Sequence, residues 1–238
     1  MKTALVVQAR FSSARLPGKV LRPLGRTPML GHLLTALAQC RCADAMIVAT
    51  SDRADDDAVA AFAQSLGVAV FRGSLDHVAA RLLAAGRAAG ADAIVRISGD
   101  SPLLDPALAD RAIELLAAMP SLAVVCNVRP RSFPKGQSVE AIRLDALEAA
   151  VAEMTLPYDR EHVTPFLYDR TERFAVQSFE ADAPRPELQL SVDTAEDLAR
   201  CEAILAHLPA PPWRLGWQAC VAAADALVPA GVGAGAVP

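Results

Sequence analysis

The residues best equipped for chemistry lie early in the chain, in Gln8-Ala9-Arg10-Phe11-Ser12-Ser13-Ala14-Arg15-Leu16-Pro17-Gly18-Lys19. Arg10, Arg15 and Lys19 bring three cations close together directly after the buried-strand run Thr3 to Ala9, with Ser12, Ser13 and Gly18 between them. Polyphosphate binding needs fixed positive charge and backbone amides that can approach closely. Arginine supplies forked donors, lysine a mobile point charge, and glycine removes the Cβ that would block the approach. The GxxxxGK[ST] spacing is absent, so this is not a Walker loop. On spacing alone, a solvated basic loop is the competing reading.

Other polar groups carry weaker signals. Asp55-Asp56-Asp57 contains the DxD spacing of metal-using glycosyltransferases, but it lies where negative charge stabilises the first turn of a helix, and we read it as a helix start. Asp100 follows the apolar run Ala93 to Ile97, and Asp193 follows Val192, so both are expected at carboxyl ends of strands. A turn residue at Gly99-Asp100 and a helix cap at Asp193 are the alternatives. His32, His77 and His207 fall in helical runs and read as packing or surface residues. No GxSxG elbow or Ser-His-Asp order supports acyl-enzyme chemistry. The five cysteines are odd in number and irregularly spaced, which suits free thiols in a reducing compartment. Cys40-Arg41-Cys42 has no second pair at zinc-like spacing.

The elements that must position these groups alternate. Strand-like runs at 3–9, 45–50, 68–71, 93–97 and 122–128 are separated by helical patterns at 28–39, 55–65, 75–89 and 106–118. Such alternation predicts an α/β fold with a Rossmann-like, mainly parallel sheet and helices on both faces. Ligands then sit beyond the carboxyl ends of the strands, where strand order reverses. After the fifth strand the pattern breaks into a polar, basic loop, Arg129 to Gln137, within an extension at 129–145. Helices near 145–154 and 160–168 and short strands near 174–179 and 188–191 follow. A last packed helix, 194–207, has Thr194 as N-cap and Asp197 three residues on. This divides the chain into a single domain, 1–208, and a tail, 209–238. In the tail, Pro209 to Pro212 reads as a hinge, 216–227 as one further helix, and the Gly/Ala/Val stretch 231–238 as disordered.

The run Arg10 to Lys19, Arg-x-x-Ser-x-Arg-Leu-Pro-Gly-Lys, resembles the signature of the cytidylyltransferases that make CMP-activated sugar acids. These include the 3-deoxy-manno-octulosonate and acylneuraminate enzymes and the spore-coat polysaccharide branch of the SpsF type, to which the likeness is strongest. It continues in Leu24 to Leu30, Val48 to Asp52, Phe71 to Ser74, Arg96 to Pro106, Arg131 to Gly136, Arg160 to Pro165 and Val192 to Leu198. The resemblance implies a nucleotidyltransferase that transfers CMP from CTP to a small anionic acceptor and releases pyrophosphate. It also implies Mg²⁺ held by Asp100 and Asp193, with Arg15, Lys19 and Asp100 acting in catalysis. Arg10, Ser13, Arg15 and Lys19 would bind the nucleotide, with Gly73 and Ser74 near base and ribose. His162 and the loop cations Arg131 and Lys135 are assigned to the acceptor. Related enzymes pair subunits through an extension at 129–145, so a homodimer is expected. Phe11, Ser12 and Ala14 depart from the branch's Met, Gly and Thr, and Ser98 replaces a glutamine of the octulosonate enzymes.

Composition narrows the alternatives. Hydrophobic residues at 53% against 21% charged exclude general disorder. A net charge of -4 with 5% aromatics fits no nucleic-acid partner, while a small phosphorylated ligand needs only a local cluster. No run reaches the ~18 apolar residues of a membrane span, and the amino terminus lacks a signal-peptide pattern, so a cytoplasmic protein is expected. A glycosyltransferase using a nucleotide-sugar donor and a non-catalytic nucleotide-binding subunit are the competing functions.

Overall fold

The computed structural model describes residues 1–227. A seven-stranded sheet runs through it: β1 (Thr3–Gln8), β2 (Ala45–Ser51), β3 (Ala69–Gly73), β4 (Ala93–Ser98), β5 (Val124–Cys126), β6 (Glu140–Arg143) and β7 (Val176–Ser178). Their order is β3-β2-β1-β4-β6-β5-β7. Every pairing is parallel except those of β6, which runs antiparallel between β4 and β5. Strand order reverses at β1 and β4. Gln8 at the end of β1 is in register with Ser98 at the end of β4, and this junction opens the crevice where such sheets bind ligands.

Helices α1 (Met29–Leu37), α2 (Asp57–Ser65), α3 (Val78–Ala88), α4 (Pro106–Ala118), α5 (Leu144–Glu153), α6 (Pro157–His162), α7 (Thr164–Tyr168), α8 (Ala195–His207), α9 (Pro212–Leu215) and α10 (Trp217–Leu227) surround the sheet. One apolar layer joins the sheet to α1, α2, α4, α8 and α10, and the opposite layer joins it to α3, α5 and α7. The core is built of Ala, Val and Leu, as few aromatics require. Each Leu or Val sealed into it contributes about 1.5–3 kcal/mol.

Several expectations change. Residues 140–143 belong to an extension in the sequence reading, yet they form β6 in the middle of the sheet. The strand expected at 188–191 is absent. That segment is drawn across the sheet end by Lys135 N–H to Leu188 O (2.9 Å) and Leu190 N–H to Lys135 O (2.8 Å). Gly136 permits this approach: its φ is +96°, and a Cβ there would lie 2.6 Å from the backbone of Leu190 and Ser191. The single helix expected at 160–168 breaks at Val163, whose φ of 66° and ψ of -71° no helix accommodates; Pro165 then lies in the first turn of α7, where its missing N–H costs nothing. In the tail, Pro212–Leu215 and Trp217–Leu227 are helical, the second close to the helix expected at 216–227, and Trp217, Cys220 and Val221 join the core. The expectation of disorder at 231–238 lies outside the described residues. Thr194 and Asp197 form the expected reciprocal capping box. No helix among the described residues is long and apolar enough to cross a membrane.

Candidate active site

The loop after β1 turns back on itself through Gly18 N–H to Phe11 O (2.9 Å), and Gly18 adopts φ +67°. Lys19 then opens a short 3₁₀ turn, Lys19–Leu21, which directs its side chain across the end of β4. Its ammonium donates to Asp100 Oδ2 (2.7 Å), Asp193 Oδ1 (3.0 Å) and the Val192 carbonyl (2.8 Å). Only 13% of the Lys19 side chain is exposed, so these contacts are shielded from solvent more than a surface pair would be. Arg15 also reaches Asp193 Oδ1, at 2.9 Å.

Asp100 stands two residues past β4, as expected. Asp193 does not follow a strand. It is brought alongside by Val192 N–H donating to the Asp100 carbonyl at 2.9 Å. Asp197, within the capping box, accepts from the Asp193 N–H at 3.0 Å and fixes the approach to α8. Burial alone would raise the Asp197 carboxyl, but the N–H groups of Asp193 and Thr194 and the Arg200 guanidinium outweigh it and hold it below its ordinary value.

Arg15, Lys19, Asp100 and Asp193 line a cleft of about 340 Å³ that also includes Gln8, Arg10 and Ser13. Gln8 opens the run singled out in the sequence but has no role there, since a polar residue ending a buried strand has no motif of its own. Its Oε1 accepts from Nε and Nη2 of Arg96, both at 3.4 Å. Arg96 in turn holds Glu140 (2.9 Å), Thr164 Oγ1 (3.1 Å) and the His162 carbonyl (3.2 Å), and Tyr168 donates to the other oxygen of Glu140. Burial, followed by the Glu140 charge, pushes the Tyr168 hydroxyl far above its ordinary value and keeps it a donor.

Arg10 faces Glu161 at 3.4 Å, but Arg160, Glu161 and His162 are absent from the lining of the cleft. The His162 ring itself lies on Tyr158, with centroids 4.4 Å apart. Lys135 lines a second hollow of about 460 Å³, which shares Arg15 and Asp193 with the first. Arg131 instead donates to Ser138 at 3.0 Å and is absent from the lining of both hollows. Gly73 ends β3, two strands from β1, and Ser74 follows it; neither lines the cleft. Ser74 accepts the His77 N–H at 3.1 Å, and His77 caps α3 through its ring nitrogen.

No cluster of three or more His, Cys, Asp or Glu side chains suited to a metal occurs among the described residues. Asp100 and Asp193 nonetheless converge on one point, now held by the Lys19 ammonium. Two carboxylates, completed by phosphate and water oxygens, form the donor set that Mg²⁺ takes in nucleotide enzymes. The residues present therefore fit a dication.

Comparison with known proteins agrees with this architecture. The chain is 33% identical over 208 residues to the spore coat polysaccharide biosynthesis protein SpsF of Bacillus subtilis, covering 84% of each chain. A cytidylyltransferase structure from Leptospira borgpetersenii superposes with a TM-score of 0.90 at 30% identity, covering 95% of this chain and 94% of that one. The structure of CMP:2-keto-3-deoxy-manno-octonic acid synthetase complexed with CTP shares the fold, with a TM-score of 0.69 at 22% identity over 87% of this chain and 99% of that one. The cytidylyltransferase family profile matches residues 4–210, a span that runs from β1 through the last capped helix, and the chain belongs to that family of nucleotidyltransferases.

Proposed function

We propose that the protein transfers CMP from CTP to a sugar-acid-like acceptor, with Mg²⁺, and releases pyrophosphate in the synthesis of a surface-glycan or polysaccharide precursor. The observation that carries this reading is the convergence of Lys19, Asp100 and Asp193 at the β1/β4 crevice, beside Arg10 and Arg15. An acceptor hydroxyl attacks the α-phosphorus in line, and no covalent enzyme intermediate is needed. Asp100 and Asp193 would hold Mg²⁺, which when bound neutralises charge on the α-phosphate and the departing pyrophosphate. Arg10, Arg15 and Lys19 bind the β- and γ-phosphates, so that the leaving group departs into fixed positive charge. Ser13 supplies a hydroxyl to the same phosphates.

The acceptor's anionic group needs a cation to offset its approach to the triphosphate. Lys135 suits that task, because its hollow meets the nucleotide cleft at Arg15 and Asp193. Arg131 is better suited to holding the loop through Ser138. His162 does not line either hollow, and its link to the cleft is the pairing of its neighbour Glu161 with Arg10.

The test is pyrophosphate release from CTP in a screen of 2-keto-3-deoxy sugar acids, with and without Mg²⁺. Release only with acceptor and metal is expected. Turnover of a nucleotide-sugar donor without pyrophosphate would indicate a glycosyltransferase, and tight nucleotide binding without any turnover would indicate a binding subunit.

A further inference from the structure

Asp56 is the second residue of the acidic run that reads as a helix start, and it does stand immediately before α2. Charge at a helix start belongs in solvent, yet Asp56 is only 1% exposed. Both of its oxygens are taken. Oδ1 accepts from the Phe11 N–H at 2.6 Å, and Oδ2 accepts from the Ser51 N–H at 3.0 Å and from the Ser51 hydroxyl. A buried carboxylate is tolerable only when its lone pairs are filled, and hydrogen bonds to a charged acceptor are the strong ones.

The partner at Phe11 matters because the basic loop closes there. The Phe11 carbonyl accepts the Gly18 N–H at 2.9 Å, so the chain from residue 11 to residue 18 leaves and returns at one point. The Phe11 ring lies against Gly18, where a Cβ would come within 2.8 Å of it. Arg15 lies inside the closed loop, and Lys19 is the first residue beyond it. A single side chain from the β2–α2 connection therefore ties down the backbone that carries both cations.

We propose that Asp56 is a positioning residue for the polyphosphate loop, acting through the Phe11 N–H and without touching substrate. A group misplaced by about 1 Å can cost about 100-fold in rate, so an anchor outside the cleft can govern what happens in it. The consequence for CTP rests on the function proposed above; the anchoring of the loop does not.

The variant Asp56→Asn keeps size but leaves one acceptor oxygen where two are used, so its amide N–H₂ is set against the N–H of Phe11 or of Ser51. The exposed neighbour change Asp55→Asn is the control. In the full chain without nucleotide, trypsin should cut after Arg15 at least tenfold faster in Asp56→Asn than in the native protein or the control. CTP affinity should fall about tenfold or more, while CMP affinity stays within about threefold. A folded Asp56→Asn protein cut at the native rate would overturn the proposal, as would equal loss of CTP and CMP. Should the variant not fold, hydrogen exchange of the native chain decides. Phe11 and Gly18 amides should exchange slowly together while Ser12 to Ala14 exchange fast, and rapid exchange at Phe11 would overturn the anchor. Faster cleavage in the variant, with no CTP binding by the native chain, would sustain the anchor and refute the nucleotide reading.

Discussion

The two sides of the cleft are assembled in opposite ways. On the β1 side the cations come from one contiguous loop, closed by a backbone hydrogen bond between Gly18 and Phe11. On the β6 side the supporting groups come from three separate segments. Arg96 on β4, Glu140 on β6, Thr164 at the start of α7 and Tyr168 at its end meet in one largely buried network that spans the turn at Val163. Val163 is a β-branched residue at φ 66°, a conformation that persists only where its surroundings over-determine it. Arg96 does this by bonding to His162 O and Thr164 Oγ1, one on each side of the turn. On the contiguous side Arg15 and Lys19 meet only at Asp193 Oδ1 and Arg10 pairs separately with Glu161, so one cation can be altered with most contacts of the others intact. The distributed side resists such dissection, since removing one partner leaves another buried and unsatisfied.

The largest expected effect lies where the two sides meet. Asp100→Asn or Asp193→Asn keeps shape but removes a charge that the proposed dication needs, and turnover should fall at least ~100-fold, about 2.8 kcal/mol of barrier. Steady-state rates at saturating Mg²⁺ check this, and near-native turnover for Asp193→Asn would remove that residue from the metal site. Next comes the contiguous side. Lys19→Ala loses charged contacts of about 1.5–3 kcal/mol, so CTP should bind roughly 10- to 100-fold more weakly while CMP, lacking the β- and γ-phosphates, changes little. Titration of both nucleotides decides it, and equal losses would place Lys19 on another part of the substrate.

The acceptor side should respond in the complementary parameter. Lys135→Ala is expected to raise the acceptor KM more than about tenfold with CTP affinity within about twofold, as for a lost binding contact. Arg131→Ala should affect both far less, because Arg131 is spent on Ser138. Kinetics with both substrates varied would show the reverse ranking if the loop is mis-assigned.

The smallest effect lies outside either side. Asp110 on α4 accepts the Cys40 thiol at 2.9 Å and the N–H groups of Arg41 and Cys42, both at 2.8 Å. Burial would raise this carboxyl, but the Cys40, Cys42 and Arg41 donors together hold it below its ordinary value. A carboxyl depressed in the folded state contributes stability that is present above its unfolded value, about 3.9, and is lost as pH falls through its lower folded value. Thermal unfolding from about pH 6 to pH 2.5 should therefore show the advantage of the native protein over Asp110→Asn shrinking only below about pH 4. Neither KM should change. A constant gap across that range would mean that Asp110 contributes through shape alone.

The cations of the loop were legible because they share a spacing, and the first four strands were legible because each is an apolar run flanked by an amphipathic helix. Asp100 was legible too, as the polar residue ending such a run. What did not show in the sequence is nonlocal. β6 is four residues long and follows a basic loop, and only its pairing with β4 and β5 makes it a strand. Gln8 gains its orientation from Arg96, and Arg96 from Glu140, although none of the three lies within 40 residues of the next. Asp56 looks like any acidic residue at a helix start until the fold closes Phe11 and Ser51 over it. Local order of apolar and polar residues thus determined the layers, the direction of most strands and the basic loop. Tertiary structure decided which carboxylate is an anchor, where Asp193 sits and which loop cation lines a hollow, because burial and hydrogen-bond partners exist only once distant segments have met.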